Sequence, residues 1–196
     1  MSVNTVSTFL AIGAILLGAG LITLFVLWLA ALVSDRAQAI LATVSYSFEG
    51  LGLRLAWVMA TVATLGSLYY SQIAHFIPCE LCWYQRIAMY PLALILAIAA
   101  IRRDASVRRY VLPMAVVGAG ISAYHYTIQQ FPDLSVTSCS TTVPCTAAWV
   151  WKFDFVSIPL MALVSFAVIV AVLLLDRPGR VAPAADTETP KAQEES

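Results

Sequence analysis

Five runs of apolar residues divide this chain, each as long as a bilayer is thick. They cover roughly Thr8–Val33, Leu55–Phe76, Trp83–Ile101, Tyr110–Ile128 and Val156–Leu175, against the ~20 residues that a helical span needs. A single segment in hydrocarbon must satisfy its own backbone hydrogen bonds, so each run is predicted to be helical. The polar stretches between them alternate in character. Residues 34–54 carry Asp35, Arg36, Glu49 and Arg54, and residues 102–109 read RRDASVRR. The segment after Leu175 opens with Asp176, Arg177 and Arg180. The other two connections hold all four cysteines and little positive charge. With the arginine-rich segments in the cytoplasm, Arg36, Arg54, Arg102, Arg103, Arg108, Arg109, Arg177, Arg180 and Lys191 lie inside. Only Arg86 and Lys152 lie outside, a ratio of nine to two. The positive-inside rule then predicts an outside N-terminus, a cytoplasmic C-terminus and both cysteine pairs facing outward.

Composition agrees with this pattern. Of 196 residues, 61% are hydrophobic and 11% charged, with a mean hydropathy of +0.85. An ordinary soluble domain carries about 25% charged residues. The net charge is zero, which gives nucleic-acid binding no support. The first apolar run is too long for a secretory signal and opens without Lys or Arg, so it is expected to remain as a span. The predicted fold is an all-α integral membrane protein, a four-helix transmembrane bundle with one extra N-terminal transmembrane helix. Its expected parts are the extra helix at 1–36, a cytoplasmic linker or interfacial helix at 37–54, the four-helix unit at 55–177 and a disordered cytoplasmic tail at 178–196.

The chemistry concentrates in IPCELCWYQR, residues 77–86. Cys-x-x-Cys spacing keeps two sulfurs within reach of each other. At a helix start, the free N–H groups and the dipole stabilise a thiolate. Arg86 lies four residues after Cys82, on the same side of a helix. A permanent charge at a membrane edge is costly unless it acts, either on a thiolate or on negative charge in an electron acceptor. Gln85 offers a donor nearby. Plainer roles exist: Arg86 as a snorkelling anchor, Trp83 and Tyr84 as aromatic-belt residues, and the CxxC as an inert disulfide or half a zinc site.

The second pair, Cys139 and Cys145 in TSCSTTVPCTAAW, lies in a loop of about 25 residues, long for a connection. A bridge closing so few residues gains little from loop entropy. Thiol–disulfide exchange is the better reason for it, and a purely structural bridge is the alternative. Two pairs on one face beside a polar cluster point to an electron relay. Neither pair is followed by His as a haem motif requires, and no dinucleotide fingerprint is present. A membrane quinone fits by elimination and location.

At these residues the chain resembles the disulfide bond formation protein B family (DsbB), in its shorter-looped, BdbC-like branch. The matching pieces are CELCWYQR with the following IAMYP, then SAYHYTIQQFP, then CSTTVPCTAAWVWKFDFVSIPLMAL. They span about Leu55 to Leu175. The resemblance implies a quinone reductase, using ubiquinone or menaquinone, that re-oxidises a soluble DsbA-like thioredoxin-fold thiol oxidase at the bacterial inner membrane. It implies catalytic disulfides Cys79–Cys82 and Cys139–Cys145, with Cys82 the thiolate beside the quinone and Cys139 the site of the mixed disulfide with the partner. Arg86 matches the arginine that supports quinone binding, and Gln85 and His125 are expected near the quinone. His75 reads as an ordinary polar residue. The run Thr8–Val33 is extra to the family core. Two rivals stand beside this reading. A vitamin K epoxide reductase-like enzyme would place its loop cysteines before the CxxC, whereas here the CxxC comes first. A membrane metal-binding protein lacks intramembrane carboxylates to line a cation path.

Overall fold

A computed structural model describes residues 2–134 and 143–176. The expected tail at 178–196 and Cys139 lie outside the described residues. Six α-helices follow one another: α1 (Val3–Ala30), α2 (Asp35–Ser47), α3 (Gly52–Leu68), α4 (Glu80–Arg102), α5 (Arg108–Gln130) and α6 (Ile158–Leu175). Among the described residues, four helical stretches are long and apolar enough to cross a membrane alone: α1, α4, α5 with the turn before it, and α6. The fifth forms when α3, with its continuation to Ile73, is joined to α2, from which it bends by 74°. The protein is an all-α, multi-pass membrane protein.

Several boundaries differ from those read off hydropathy. α3 continues as a π-helical turn, Tyr69–Ile73, and His75 follows with φ 54°. α4 begins at Glu80, three residues before the expected Trp83. Val156 and Ser157 lie in strand β2, paired antiparallel with β1 (Trp151–Lys152). Phe153 and Asp154 make the turn with φ 53° and 63°. Hydropathy counts Val156 with the helix because it senses apolarity and not backbone direction. Of residues 37–54, read as a linker or interfacial helix, 37–47 belong to α2 and 52–54 already open α3.

Helices α3 to α6 form the bundle, and small residues let their backbones approach, as suits helices that pack in lipid. Ala56, Ala60, Ala88, Ala99 and Ala115 are buried around Leu92, Leu96, Phe166 and Ile169. At Gly118 a Cβ would sit 2.4 Å from the Phe166 ring, so this contact requires glycine. Large apolar side chains such as Leu94, Ile101 and Leu174 face outward, where lipid is their natural neighbour.

The antiparallel helices gather the cysteines at one end. Both the entry to α4 and the connection from α5 to α6 lie there, together with Arg86 and Lys152. Arg36, Arg54, Arg102, Arg103, Arg108 and Arg109 belong to the opposite end. A buried clamp closes that end. The Asp176 carboxylate accepts from Gly50 N–H at 2.9 Å and Gly52 N–H at 3.0 Å, and it pairs with Arg108. A Cβ at Gly52 would collide with Asp176. Asp176→Ala removes the carboxylate partner of Arg108, which keeps only the backbone carbonyl of residue 176, and leaves two amides without their acceptor. We expect a stability loss of about 3–5 kcal/mol, the scale of a broken buried pair, read as a lower unfolding midpoint in detergent. An unchanged midpoint would show that the clamp contributes nothing.

Candidate active site

Cys79 is the N-cap of α4, in extended conformation after Pro78. This explains the early helix start: the Cys79 sulfur itself accepts from Cys82 N–H at 3.4 Å, satisfying one amide that a helix start leaves open. One helical turn then brings the Cys79 and Cys82 sulfurs to 3.0 Å. Both are free thiols, since a disulfide bond spans about 2.05 Å. The two sulfurs are thus placed within reach of the expected Cys79–Cys82 bond. Cys145 is disulfide-bonded.

Buried His125 on α5 joins the two cysteine regions. Its Nδ1 lies 3.1 Å from Gln85 Nε2. Its Nε2 lies 3.1 Å from the Cys145 carbonyl oxygen and 3.7 Å from Cys79 Sγ. A carbonyl only accepts, so Nε2 carries the proton. Cys79, Leu81, Ile128 and Cys145 form one buried cluster. Around it, Gln129 Nε2 donates to Ala147 O, and Tyr126 Oη donates to Phe155 O at 3.0 Å. Phe76 stacks on Tyr70 and on Trp149, tying the approach to α4 to the approach to α6.

Cys79 has a thiol well below the ordinary value, lowered to about 4. The largest cause is the hydrogen bond from the Cys82 thiol; burial opposes it, and His125 adds to it. Because the pKa is depressed, the thiolate persists down to acid pH and is lost only as pH falls through about 4. An ordinary thiol, at about 8.5, would already be protonated at neutral pH. The expected result is ultraviolet thiolate absorbance in the reduced protein at about pH 6, missing from Cys79→Ser. Absorbance that rises only in the alkaline range would contradict the hydrogen-bonded pair.

Arg86 lies on the other side of Cys82. Its Nε donates to Ser67 Oγ at 3.0 Å and one Nη to Ser67 O at 3.3 Å. Ser67 Oγ is 3.2 Å from Tyr90 Oη, and the guanidinium lies 5.3 Å from the Trp83 ring centroid. These groups edge a cavity of about 370 Å³ between α1, α3, α4 and α6. Cys82, Gln85, Arg86, Ser67 and Tyr90 gather polar groups at one part of it, Tyr70 and Ser165 add hydroxyls, and the rest of the wall is apolar. Cys79 and His125 do not line this cavity; with Cys82 they face a smaller recess beside Gln129 and Pro144. His125, expected near a quinone, thus stands between Cys79 and Cys145.

Of the residues singled out in the sequence, the fold brings together Cys79, Cys82, Gln85, His125 and Cys145, with Arg86 adjoining. Trp83, Tyr84 and His75 are exposed. Sequence reasoning did not find Ser67, Tyr90 or the Phe76–Trp149 stack. The only signal for the first two was the need of Arg86 for an acceptor, which any neighbouring helix could have met. Cys79, Cys82 and His125 also offer three ligand atoms within 4.8 Å of one another, a set that zinc accepts. Ligation through Nε2 would require His125 to give up its bond to the Cys145 carbonyl.

Several apolar helices around a CxxC, with a disulfide-bonded cysteine in the same cluster, define a membrane thiol–disulfide oxidoreductase. The chain belongs to the family described as disulfide bond formation protein DsbB, whose model matches residues 50–175. It is 51% identical over 124 residues to disulfide bond formation protein C of Bacillus subtilis, covering 63% of this chain and 90% of that protein. It is 46% identical over 125 residues to a probable disulfide formation protein of Oceanobacillus iheyensis, covering 63% and 86%. A probable disulfide formation protein C 2 of Bacillus anthracis is 44% identical over 125 residues, covering 64% and 89%. No solved structure matches. Helices α1 and α2 precede the matched region.

Proposed function

We propose that this protein re-oxidises a DsbA-like thioredoxin-fold thiol oxidase and passes the electrons to a membrane quinone, ubiquinone or menaquinone. It thereby sustains disulfide formation in extracytoplasmic proteins. The cysteine end faces the outer side of the bacterial inner membrane, in keeping with the arginines at the opposite end. One observation carries the reading: Cys79 and Cys82 stand between the Cys145 region, reached through His125, and the Arg86-edged cavity.

The steps balance as two thiol–disulfide exchanges and one oxidation. A partner thiolate attacks the Cys139–Cys145 bond at Cys139, and its second thiol resolves the mixed disulfide. The partner leaves oxidised and the loop pair is reduced. The loop thiols then reduce Cys79–Cys82 and regain their own bond. The cavity suits a quinone, being apolar with a few polar groups converging near one sulfur. When bound, a quinone supplies an acceptor for two electrons and two protons. Arg86 would hold its head beside Cys82 and stabilise negative charge there. With Cys79 already a thiolate, the pair loses two electrons and one proton, from Cys82, as its bond reforms, and the medium supplies the second proton.

The test is anaerobic quinone reduction by the purified protein, driven by a reduced thioredoxin-fold dithiol protein. Stoichiometric quinol and partner disulfide are expected. Partner oxidation without quinol formation would overturn the quinone assignment and keep the exchange chemistry.

A further inference from the structure

We propose that α1, outside the family-matched region, forms one wall of the Arg86-edged cavity and holds the polyprenyl tail of the quinone, with Gly13 keeping that passage open. The proposal rests on the quinone reading above and adds a tail site to it.

Phe9, Leu10, Gly13, Ala14 and Leu17 all line the cavity. Their spacing is one face of a helix. From Phe9 to Leu17 that face extends about 12 Å at 1.5 Å per residue. The face has a defined place in the fold. Tyr70 Oη donates to Ser7 Oγ at 3.1 Å, with both residues buried, and Lys152 Nζ donates to Asn4 Oδ1. Both bonds pin α1 at the cysteine end. Farther along, α1 packs on α6, where a Cβ at Gly18 would lie 3.8 Å from Val164. Between α1 on one side and α3 and α4 on the other, space remains.

The depth of that space separates tail from head. Leu10 is level with Gly66, whose Cβ would meet Leu10 Cδ1 at 3.5 Å, and Gly66 adjoins Ser67, the anchor of Arg86. Gly13 lies about one helical turn farther from the cysteine end, level with the apolar part of the wall at Met59, Val62 and Ala63. A ligand with its polar head at Arg86 and Cys82 must therefore send a hydrocarbon chain past Gly13. A Cβ at Gly13 would meet nothing within 4 Å, so a larger side chain starts in open space at the cavity wall.

The experiment uses the full chain: wild type, Gly13→Phe, Gly13→Leu and the control Gly20→Phe. Gly20 also has open space around it but does not line the cavity. Equilibrium binding of a long-tailed quinone and of its tail-less analogue is read by tryptophan quenching, Trp149 being in the wall. Loss of the packing contacts of the excluded tail atoms should weaken the long-tailed quinone by about tenfold in Gly13→Phe, and by less in Gly13→Leu. Tail-less binding, disulfide exchange with the partner and the unfolding midpoint should stay at wild-type values, and Gly20→Phe should match wild type throughout. Wild-type affinity for the long-tailed quinone in both Gly13 variants would overturn the tail site and leave the quinone reading standing. Equal weakening of both quinones, or a loss of folding in both variants, would overturn it as a tail-specific effect. Absence of quinone binding in wild type would remove the quinone reading, and this site with it.

Discussion

Cys79→Ser and Cys139→Ser should each reduce partner-driven quinone reduction to background, a loss on the order of 10³-fold or more, as expected when an essential nucleophile is removed. The two losses should differ in kind. In Cys139→Ser the loop cannot accept electrons from the protein partner, but Cys79 and Cys82 keep their place beside the cavity. A small dithiol that reaches the CxxC directly should therefore restore quinone reduction in Cys139→Ser. It should not restore it in Cys79→Ser, because Cys82 alone cannot form the bond whose closure releases two electrons. Equal rescue of both variants would show that electrons reach the quinone without the CxxC. Rescue of neither would place Cys139 in the terminal step, contrary to the order of exchange proposed. The order itself follows from position. Cys145 shares a buried cluster with Cys79, while Cys82, and not Cys79, lines the large cavity.

The fold was legible where one physical requirement dominates. Hydrocarbon demands long apolar helices, so five spans and their alternation with arginine-rich turns could be read directly. Their ends could not. The π turn at Tyr69–Ile73 and the hairpin at 151–157 depend on local backbone geometry that apolarity does not encode. The CxxC, Arg86 and Gln85 stood out in the sequence because charged and polar groups are costly at a membrane edge, whereas His125 was singled out only through the family resemblance. Their division of labour was not legible, since it depends on the faces that α4 and α5 turn to one another. Gln85 and Arg86 are adjacent in sequence, yet one bonds His125 and the other Ser67. Asp176 read as the start of a polar tail, and only the approach of Gly50, Gly52 and Arg108 makes it a clamp. The role of α1 in the cavity was hidden for the same reason: one helix face becomes a wall only through what stands opposite.

Arg86→Ala should raise the quinone concentration needed for half-maximal rate by about 10–100-fold, the worth of a charge-assisted hydrogen bond at ~1.5–3 kcal/mol, while exchange with the partner continues at its wild-type rate. Two features of the site set this outcome apart from a general structural defect. Ser67 holds Arg86 through both a hydroxyl and a carbonyl, so the guanidinium is positioned before any ligand arrives, and pre-positioned charge acts at full strength in a low-dielectric site. The contacts joining Cys79, His125, Gln85 and Cys145 do not include Arg86, so its loss leaves the exchange half of the relay in place. Arg86→Lys separates charge from geometry. A lysine keeps the positive charge but cannot make the fixed two-point contact to Ser67, so its quinone requirement should fall between wild type and Arg86→Ala. If Arg86→Lys matched wild type, charge alone would suffice and the Ser67 anchor would be incidental. If Arg86→Ala left quinone kinetics unchanged, Arg86 would have no part in the reaction, and its cost at the membrane edge would have to be offset by its packing on Trp83 and its bonds to α3.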